Sequence, residues 1–223
     1  MGNVLVIAVH PDDETLGCGA TLLRHRAQHQ DIYWLICTAM SEQSGATKAQ
    51  IADRERVISQ VAGQYQFKKV FQLGLASTRV DVCPSHLLIS QISAIINEVQ
   101  PHTLYLPFKS DIHSDHRKIF EAAYSCTKSF RYPSIKKILM METLSETEFA
   151  PATKEDCFVP NVFVDISDYF EQKCAILNLY ESEMGQHPFP RSIRNVTALA
   201  TLRGASAGCD YAESFMLLKE ILP

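Results

Sequence analysis

Short apolar runs rich in valine and isoleucine alternate with longer amphipathic stretches over the first two thirds of the chain. Such runs are typical of parallel strands covered on both faces, and the stretches between them have helical spacing. Strands that alternate with helices predict an α/β fold with a mostly parallel central sheet and helices on both faces. The predicted strands are 3–9, 32–37, 68–73, 103–107 and 136–141, and the predicted helices are 14–29, 46–63, 85–99 and one that ends near Lys128.

From Glu142 onward the alternation loosens. Residues 142–161 are polar and interrupted by proline, which predicts an irregular segment packed on the same domain. A short strand, two helices and a closing strand are predicted at 162–167, 168–182, 191–204 and 211–218. Because 223 residues are an ordinary length for one α/β unit, we predict a single domain over 1–223.

The composition excludes several classes of protein. Hydrophobic residues make up 46% of the chain and charged residues 21%, as in globular proteins. The net charge is −4 and lysine and arginine do not cluster, which argues against nucleic acid as a partner. No apolar run is long enough for a membrane span. Seven dispersed cysteines without a CxxC pair predict buried thiols in a reducing compartment, so we expect a cytoplasmic protein.

Two charged loops directly follow the first and fourth predicted strands. His10, Asp12, Asp13 and Glu14 form the first loop, and the second has the sequence "FKSDIHSDH" (108–116). In parallel α/β sheets, ligands bind beyond the carboxyl ends of the strands, where neighbouring loops can face each other. Either loop alone is most often a polar turn or the start of a helix, but both at strand ends predict one shared site.

The residue types in these loops fit a catalytic metal site. Two imidazoles and one carboxylate can bind zinc and leave a fourth position for water. A second carboxylate can take the proton as that water attacks a carbonyl, and a second histidine can stabilise the oxyanion or protonate the leaving group. Asp115 could orient an imidazole. Spacing alone does not decide whether His113 or His116 binds the metal, and the same donors can hold iron(II) or cobalt.

The motifs "AVHPDDETLGCGATL" and "PFKSDIHSDHRKIFEAA" resemble the two motifs of the PIG-L/LmbE-like zinc deacetylases, and the resemblance extends to "YAESF" near the end of the chain. It implies a Rossmann-like fold and removal of N-acetyl groups from amino sugars. By resemblance, zinc is the cofactor and is bound by His10, Asp13 and His116. Asp12 is then the general base, and His113 assists as oxyanion stabiliser or acid.

The chain departs from the family pattern in two places, and one of them concerns the substrate. The loop after the second strand reads "TAMSEQSG", whereas a glycine-rich "TxGExG" is common in the family. In the second motif, Ser114 stands at a position where proline is the commonest residue. Residues of the altered loop line the sugar pocket in relatives. The predicted substrate-binding residues are Glu42 in that loop, Arg54 on the second helix, and Arg79 and Asp81 after the third strand. A phosphate or nucleotide group on the substrate could be gripped by Arg191, Arg194 and Arg203, although a solvated basic helix is the better interpretation.

The sequence therefore predicts a zinc-dependent hydrolase that removes an N-acetyl group from an N-acetylglucosamine-type small molecule, free, glycosidic or nucleotide-linked. The alternatives are a Rossmann-like nucleotide-binding protein and a descendant that binds sugar or metal without catalysis. The first turn lacks G-x-G-x-x-G, and its carboxylates would repel a pyrophosphate, which disfavours the nucleotide-binding alternative. No membrane or nucleic-acid partner is expected, and assembly into a homo-oligomer is left open.

Overall fold

The computed structural model describes residues 2–222, with Gln43 described by its backbone alone. Met1 and Pro223, the ends of the predicted domain, lie outside the described residues. The strands are β1 (Val4–Ala8), β2 (Ile32–Ala39), β3 (Lys69–Ala76), β4 (Thr103–Leu106), β5 (Lys137–Met141), β6 (Val162–Asp165) and β7 (Ala212–Glu220). The helices are α1 (Asp13–Ala27), α2 (Lys48–Tyr65), α3 (Ser85–Val99), α4 (Ser114–Ser125), α5 (Phe170–Leu177) and α6 (Ile193–Ala207).

The strands form one sheet in the order β3-β2-β1-β4-β5-β7-β6. Strands β1 to β5 are parallel, and β7 runs antiparallel to both of its neighbours. The predicted mostly parallel α/β fold is confirmed. Because β1 lies between β2 and β4, the chain order reverses there, and the loops after β1 and β4 meet at one edge of the sheet.

Helices cover both faces of the sheet because alternate side chains of each strand point to opposite sides. Val4 and Val6 of β1 pack in a core with α1, α2 and α5. Leu5 and Ile7 belong to a second core formed with α3 and α4. Within residues 2–222, none of the helices combines the length and the apolar character that crossing a membrane requires.

The seven cysteines are free thiols, but the expectation that most are buried is wrong. Cys18, Cys37 and Cys126 are buried in the cores, whereas Cys157 is exposed and the other three are half-buried. Cys83 and Cys174 pack only at the edges of apolar clusters, and Cys157 and Cys209 lie in loops outside the strands and helices.

Helix α1 is broken in the middle, at Cys18, whose φ and ψ are −148° and 21°. Glu213 of β7 accepts the backbone N–H groups of Ala20 (3.0 Å) and Thr21 (2.7 Å), which start the second half of the helix. Lys173 of α5 donates to the carbonyl oxygen of Leu16 (2.9 Å) and to Glu213 (2.7 Å). A buried ion pair thus caps both helix ends created by the break, which no sequence pattern indicated.

Candidate metal centre

The loops after β1 and β4 bring three potential metal ligands together. The His116 Nε2 atom lies 3.3 Å from His10 Nδ1 and 3.4 Å from an Asp13 carboxylate oxygen. The same Asp13 oxygen lies 3.8 Å from His10 Nδ1. Tetrahedral ligands at about 2.0–2.1 Å from zinc are separated by about 3.3 Å, so this triangle fits such an ion. The set is the one that the resemblance implies.

Hydrogen bonds fix two of these side chains, and those of Asp13 go to the same oxygen that forms the triangle. The Asp13 carboxylate oxygen accepts the backbone N–H groups of Val9 (3.0 Å) and His10 (2.8 Å). His116 is fully buried, and its Nδ1 lies 2.9 Å from Asp111, whose other oxygen accepts the Thr147 hydroxyl at 2.6 Å. Because Nδ1–H donates to Asp111, Nε2 is the His116 nitrogen that is left to bind a metal in place of a proton.

The charges around His116 favour a cation at this position. Burial by itself would lower the pKa of His116, but the carboxylates of Asp13 and Asp111 raise it to about 9. Negative charge therefore outweighs the cost of placing a positive charge in the buried site. The donors and their electrostatic surroundings both fit a divalent metal.

A second set of possible ligands, His10, His113 and Asp115, fits a metal less well. The shortest separations to Asp115 are 3.6 Å from His10 Nε2 and 4.0 Å from His113 Nδ1. His113 Nδ1 already accepts the backbone N–H of Asp115 at 3.1 Å. The Asp115 carboxylate accepts the N–H groups of Thr78 (2.7 Å) and Val80 (3.1 Å), which anchors the loop after β3.

Asp115 and Asp111 divide the orienting role that the sequence assigned to Asp115 alone. Asp115 flanks the outer nitrogen of His10, which has no hydrogen-bond partner of its own. Burial acts to raise the pKa of Asp115, but His10 and the backbone N–H groups lower it below its usual range. Asp111 holds His116. The sequence signal for Asp111 was its position five residues before His116 in the same loop.

Asp12 lies in the cavity beside the ligand set and has a strained backbone, with φ at 155°. Its N–H donates to Glu14 at 3.2 Å, and the fully buried Glu14 also accepts the hydroxyl of Tyr180 at 2.7 Å. Burial raises the pKa of Asp12 well above its usual value, and the charge of Asp13 adds to that effect. Strain that is held by a buried network is common at functional positions, and a raised pKa suits a general base.

His113 lines the same cavity and is the N-cap residue of α4, directly before Ser114. Because its Nδ1 accepts the N–H of Asp115, the neutral ring carries its hydrogen on Nε2. Burial and the charge of His10 lower the pKa of His113, which favours the neutral ring. His113 is therefore a hydrogen-bond donor available to a ligand.

Two arginines also line the cavity and share one carboxylate. Arg54 of α2 donates to the carbonyl oxygen of Pro11 (3.2 Å) and forms an ion pair with Glu183. Arg191 donates to the Glu183 carbonyl oxygen (2.9 Å) and the Ser145 hydroxyl (2.8 Å), and its guanidinium lies 3.4 Å from the Glu183 carboxylate. Arg54, a predicted substrate-binding residue, and Arg191 therefore both line the cavity.

The remaining predicted substrate-binding residues lie outside the cavity lining. Glu42 is exposed and 3.8 Å from Lys48, and Arg79 and Asp81 are exposed on the loop after β3. Arg194 is exposed on α6. Arg203 pairs with Glu142 at 2.9 Å, away from the metal ligands.

Two carboxylates of the cavity, Glu146 and Glu183, were not predicted from the sequence. Glu146 follows β5 as His10 follows β1, so the rule about strand ends could have pointed to it. Glu183 lies in an irregular segment between α5 and α6, and no pattern marks it.

Known proteins resemble this chain in sequence, and solved structures share its fold. The chain is 22% identical to the diacetylchitobiose deacetylase of Thermococcus kodakarensis, over 98% of this chain and 84% of that protein. It is 29% identical to the uncharacterized deacetylase YaiS of Escherichia coli, over 81% of this chain and 91% of that protein. The crystal structure of the conserved protein TT1542 from Thermus thermophilus has a TM-score of 0.79 and 22% identity, and the match covers 100% of this chain and 97% of that one.

The model of one protein family, PIG-L (GlcNAc-PI de-N-acetylase), matches residues 5–127. This range includes both loops that supply the ligand triangle and more than half of the chain. The chain therefore belongs to the PIG-L family.

Proposed function

We propose that this protein is a zinc-dependent hydrolase that removes the N-acetyl group from an amino sugar. The observation that carries the proposal is the triangle of His10, Asp13 and His116, with Asp12 and His113 beside it in one cavity. Membership of the PIG-L family and the names of two relatives as deacetylases support the same reaction. The alternative of a nucleotide- or sugar-binding protein without catalysis has no comparable support.

Zinc would be held by His10, Asp13 and His116. When bound in such a set of donors, zinc acts as a Lewis acid that polarises an acyl oxygen and lowers the pKa of water. Two imidazoles and a carboxylate favour zinc over calcium or magnesium, which prefer oxygen ligands only. Iron(II) and cobalt accept the same donors, so metal analysis is part of the test.

Asp12 would accept the proton from the attacking water. It lies in the cavity, it is outside the ligand triangle, and its raised pKa favours taking up a proton near neutral pH. The strained backbone, which is held by the bond from the Asp12 N–H to Glu14, fixes the direction of its side chain.

His113 would donate from Nε2 to the acyl oxygen as negative charge develops there, or supply the proton to the leaving nitrogen. In the net reaction a C–O bond forms to the acetyl carbon, the C–N bond breaks, and acetate and a free amine are released. Arg54, which lines the same cavity, would contact the sugar. A cytoplasmic location and homo-oligomer formation stay predictions.

The test combines elemental analysis of the purified protein with an assay of acetate release. N-acetyl-D-glucosamine, N,N′-diacetylchitobiose and UDP-N-acetylglucosamine are the first probes, before and after chelation and after zinc is restored. We expect about one zinc per chain and chelator-sensitive acetate release from at least one probe. If zinc-loaded protein releases no acetate from any N-acetyl sugar, the proposed function is wrong.

A further inference from the structure

One carboxylate oxygen in the cavity has no hydrogen-bond partner. The Oε2 atom of Glu146 is buried and unpartnered, although its side chain lines the same cavity as Asp12 and His113. The other oxygen accepts only a long bond of 3.3 Å from the Ser145 hydroxyl. A buried acceptor without a donor is costly, so such an atom at a ligand site indicates that a ligand supplies the donor.

The backbone of Glu146 is tied to the metal-binding loop. Its carbonyl oxygen accepts the N–H of Ile112, the residue before His113, at 3.2 Å. The next residue, Thr147, donates its hydroxyl to Asp111, which holds His116. The Glu146 side chain is therefore placed relative to the metal ligands and not on a free loop.

Charge also connects Glu146 with the metal position. Burial raises the pKa of Glu146, and the positive charge of His116 opposes that effect while the charge of Asp13 adds to it. They agree with the geometry, in which Glu146 lines the same cavity as His10 and Asp13 of the ligand triangle. A ligand bound in this cavity would lie beside both.

The other carboxylates of the cavity lining already have partners or roles. Among the described residues that line it, Asp13 belongs to the ligand triangle, Asp12 is the proposed base, and Glu183 pairs with the two arginines. Glu146 is the carboxylate that is left for a hydrogen-bond donor on the ligand. In an acetamido sugar the donor next to the scissile carbonyl is the amide N–H, and after hydrolysis it is the ammonium group.

We propose that Glu146 binds the nitrogen of the substrate, accepting the amide N–H before hydrolysis and the ammonium group of the product afterwards. This inference rests on the proposed function. It makes Glu146 a specificity residue for acetamides and the origin of inhibition by the amine product. The Glu146 carboxylate would accept a hydrogen bond from the amide N–H, and its negative charge would increase the affinity for the ammonium group.

Substitutions can separate these two contributions. In Glu146→Gln the side-chain carbonyl oxygen can still accept the amide N–H, but the charge is lost. We expect the KM of the acetamide probe to stay within about threefold of wild type, while the inhibition constant of D-glucosamine rises roughly tenfold. In Glu146→Leu the acceptor is lost as well, so both constants should rise roughly tenfold.

D-Glucose and Glu155→Gln serve as controls. D-Glucose shares the hydroxyl groups of the product but not the nitrogen, so its weak inhibition should be unchanged in Glu146→Gln. Glu155 is exposed in the same irregular segment and does not line the cavity, so Glu155→Gln should match wild type in every constant. Zinc content and the thermal melting temperature of each variant show whether it is folded and loaded. Calorimetric binding of D-glucosamine to zinc-loaded protein measures the product contact without turnover.

The outcomes separate this inference from the proposed function. The inference is supported if the wild type is active and the inhibition constant of D-glucosamine is roughly tenfold higher in Glu146→Gln. If the Glu146 variants are loaded with zinc but keep all constants, or if D-glucose and D-glucosamine are affected equally, the nitrogen contact is wrong while the deacetylase function stands. A wild type that is inactive on every N-acetyl probe contradicts both.

Discussion

Two groups of residues line the cavity, which we call the metal side and the arginine side, and a different kind of interaction fixes each group. On the metal side, Asp13, Asp111 and His116 are buried, whereas His10 is 21% exposed. Short hydrogen bonds from backbone N–H groups or a hydroxyl fix the carboxylates of Asp13 and Asp111. The arginine side consists of Arg54 and Arg191, long side chains that share Glu183 and are 10% and 22% exposed. Hydrogen bonds among buried groups fix the metal side, whereas ion pairs between partly exposed side chains hold the arginine side.

Because of this difference, we expect the metal side to determine catalysis and the arginine side to determine affinity for the sugar. Interactions in a buried site are strong because water does not screen them, and a displaced ligand atom is costly. Ion pairs nearer to water are weaker, and their long side chains can adjust. Changes on the metal side should therefore abolish catalysis or metal binding, whereas changes on the arginine side should mainly alter affinity for the sugar.

The largest effects are expected for His116→Ala and Asp12→Asn. The first variant tests metal binding, and the second tests proton transfer. His116→Ala removes a ligand, so zinc content should fall to near zero and acetate release should be lost. Asp12→Asn should keep about one zinc per chain, while the rate falls by roughly 10²–10⁴ because the base is gone. Elemental analysis and the acetate assay measure both. Full activity in either variant would contradict the assigned roles.

A smaller effect is expected for Asp111→Asn, which removes the support of the proposed metal-binding residue His116. Asp111→Asn keeps the shape of the side chain but weakens the orientation of His116, and such changes typically cost about 10–100-fold in metal affinity. Competition with a chelator measures the affinity, and excess zinc should restore most of the activity. Asp168→Asn, on an exposed turn, is the matched control. An unchanged zinc affinity in Asp111→Asn would show that His116 needs no such support.

Changes on the arginine side should act on KM. Lysine at position 54 keeps the charge but cannot bond both the Pro11 carbonyl oxygen and Glu183 as the guanidinium does, so Arg54→Lys should raise KM roughly tenfold. Glu183→Gln should act in the same direction because it removes the negative charge that pairs with both arginines. In each variant kcat and zinc content should stay close to wild type. A loss of kcat at constant KM would place Arg54 in the chemistry instead.

The smallest effects are expected for Glu42→Gln, Arg79→Gln and Asp81→Asn. These exposed side chains do not line the cavity, so kcat and KM should stay within about twofold of wild type. Measuring them tests the sequence-based assignment directly. A KM increase on the scale of Arg54→Lys would show that their loops reach the substrate.

The central fold and the position of the candidate site were predictable because local sequence determines them, whereas the ligand set was inferred from the family resemblance. The alternating apolar runs specify parallel strands, and each motif lies within a few residues of a strand end, where adjacent strands must bring the loops together. His10, Asp13 and Asp12 share one turn. The structure also favours His116 over His113 as a ligand, because its Nε2 faces Asp13 and His10, whereas His113 Nδ1 is occupied.

The arginine side was not predictable because its parts meet only in three dimensions. Arg54 and Glu183 lie on α2 and in the segment after α5, and no periodicity relates them. Arg191 was assigned with Arg194 and Arg203 to one basic helix, but it precedes α6 and turns into the cavity, while the others face solvent or Glu142. The exposed position of Glu42 depends on the conformation of a loop that propensities do not determine.

The break in α1 has a consequence for the order in which the site is completed. A growing chain contains every proposed metal ligand once α4 has been synthesised, but Glu213 belongs to β7, the last strand. Until β7 has been added to the sheet, the N–H groups of Ala20 and Thr21 lack their acceptor, and the segment that carries Asp13 lacks its support. We therefore expect metal loading to be a late event in biogenesis, so that a chain interrupted before β7 would carry all the ligands and still fail to retain the ion.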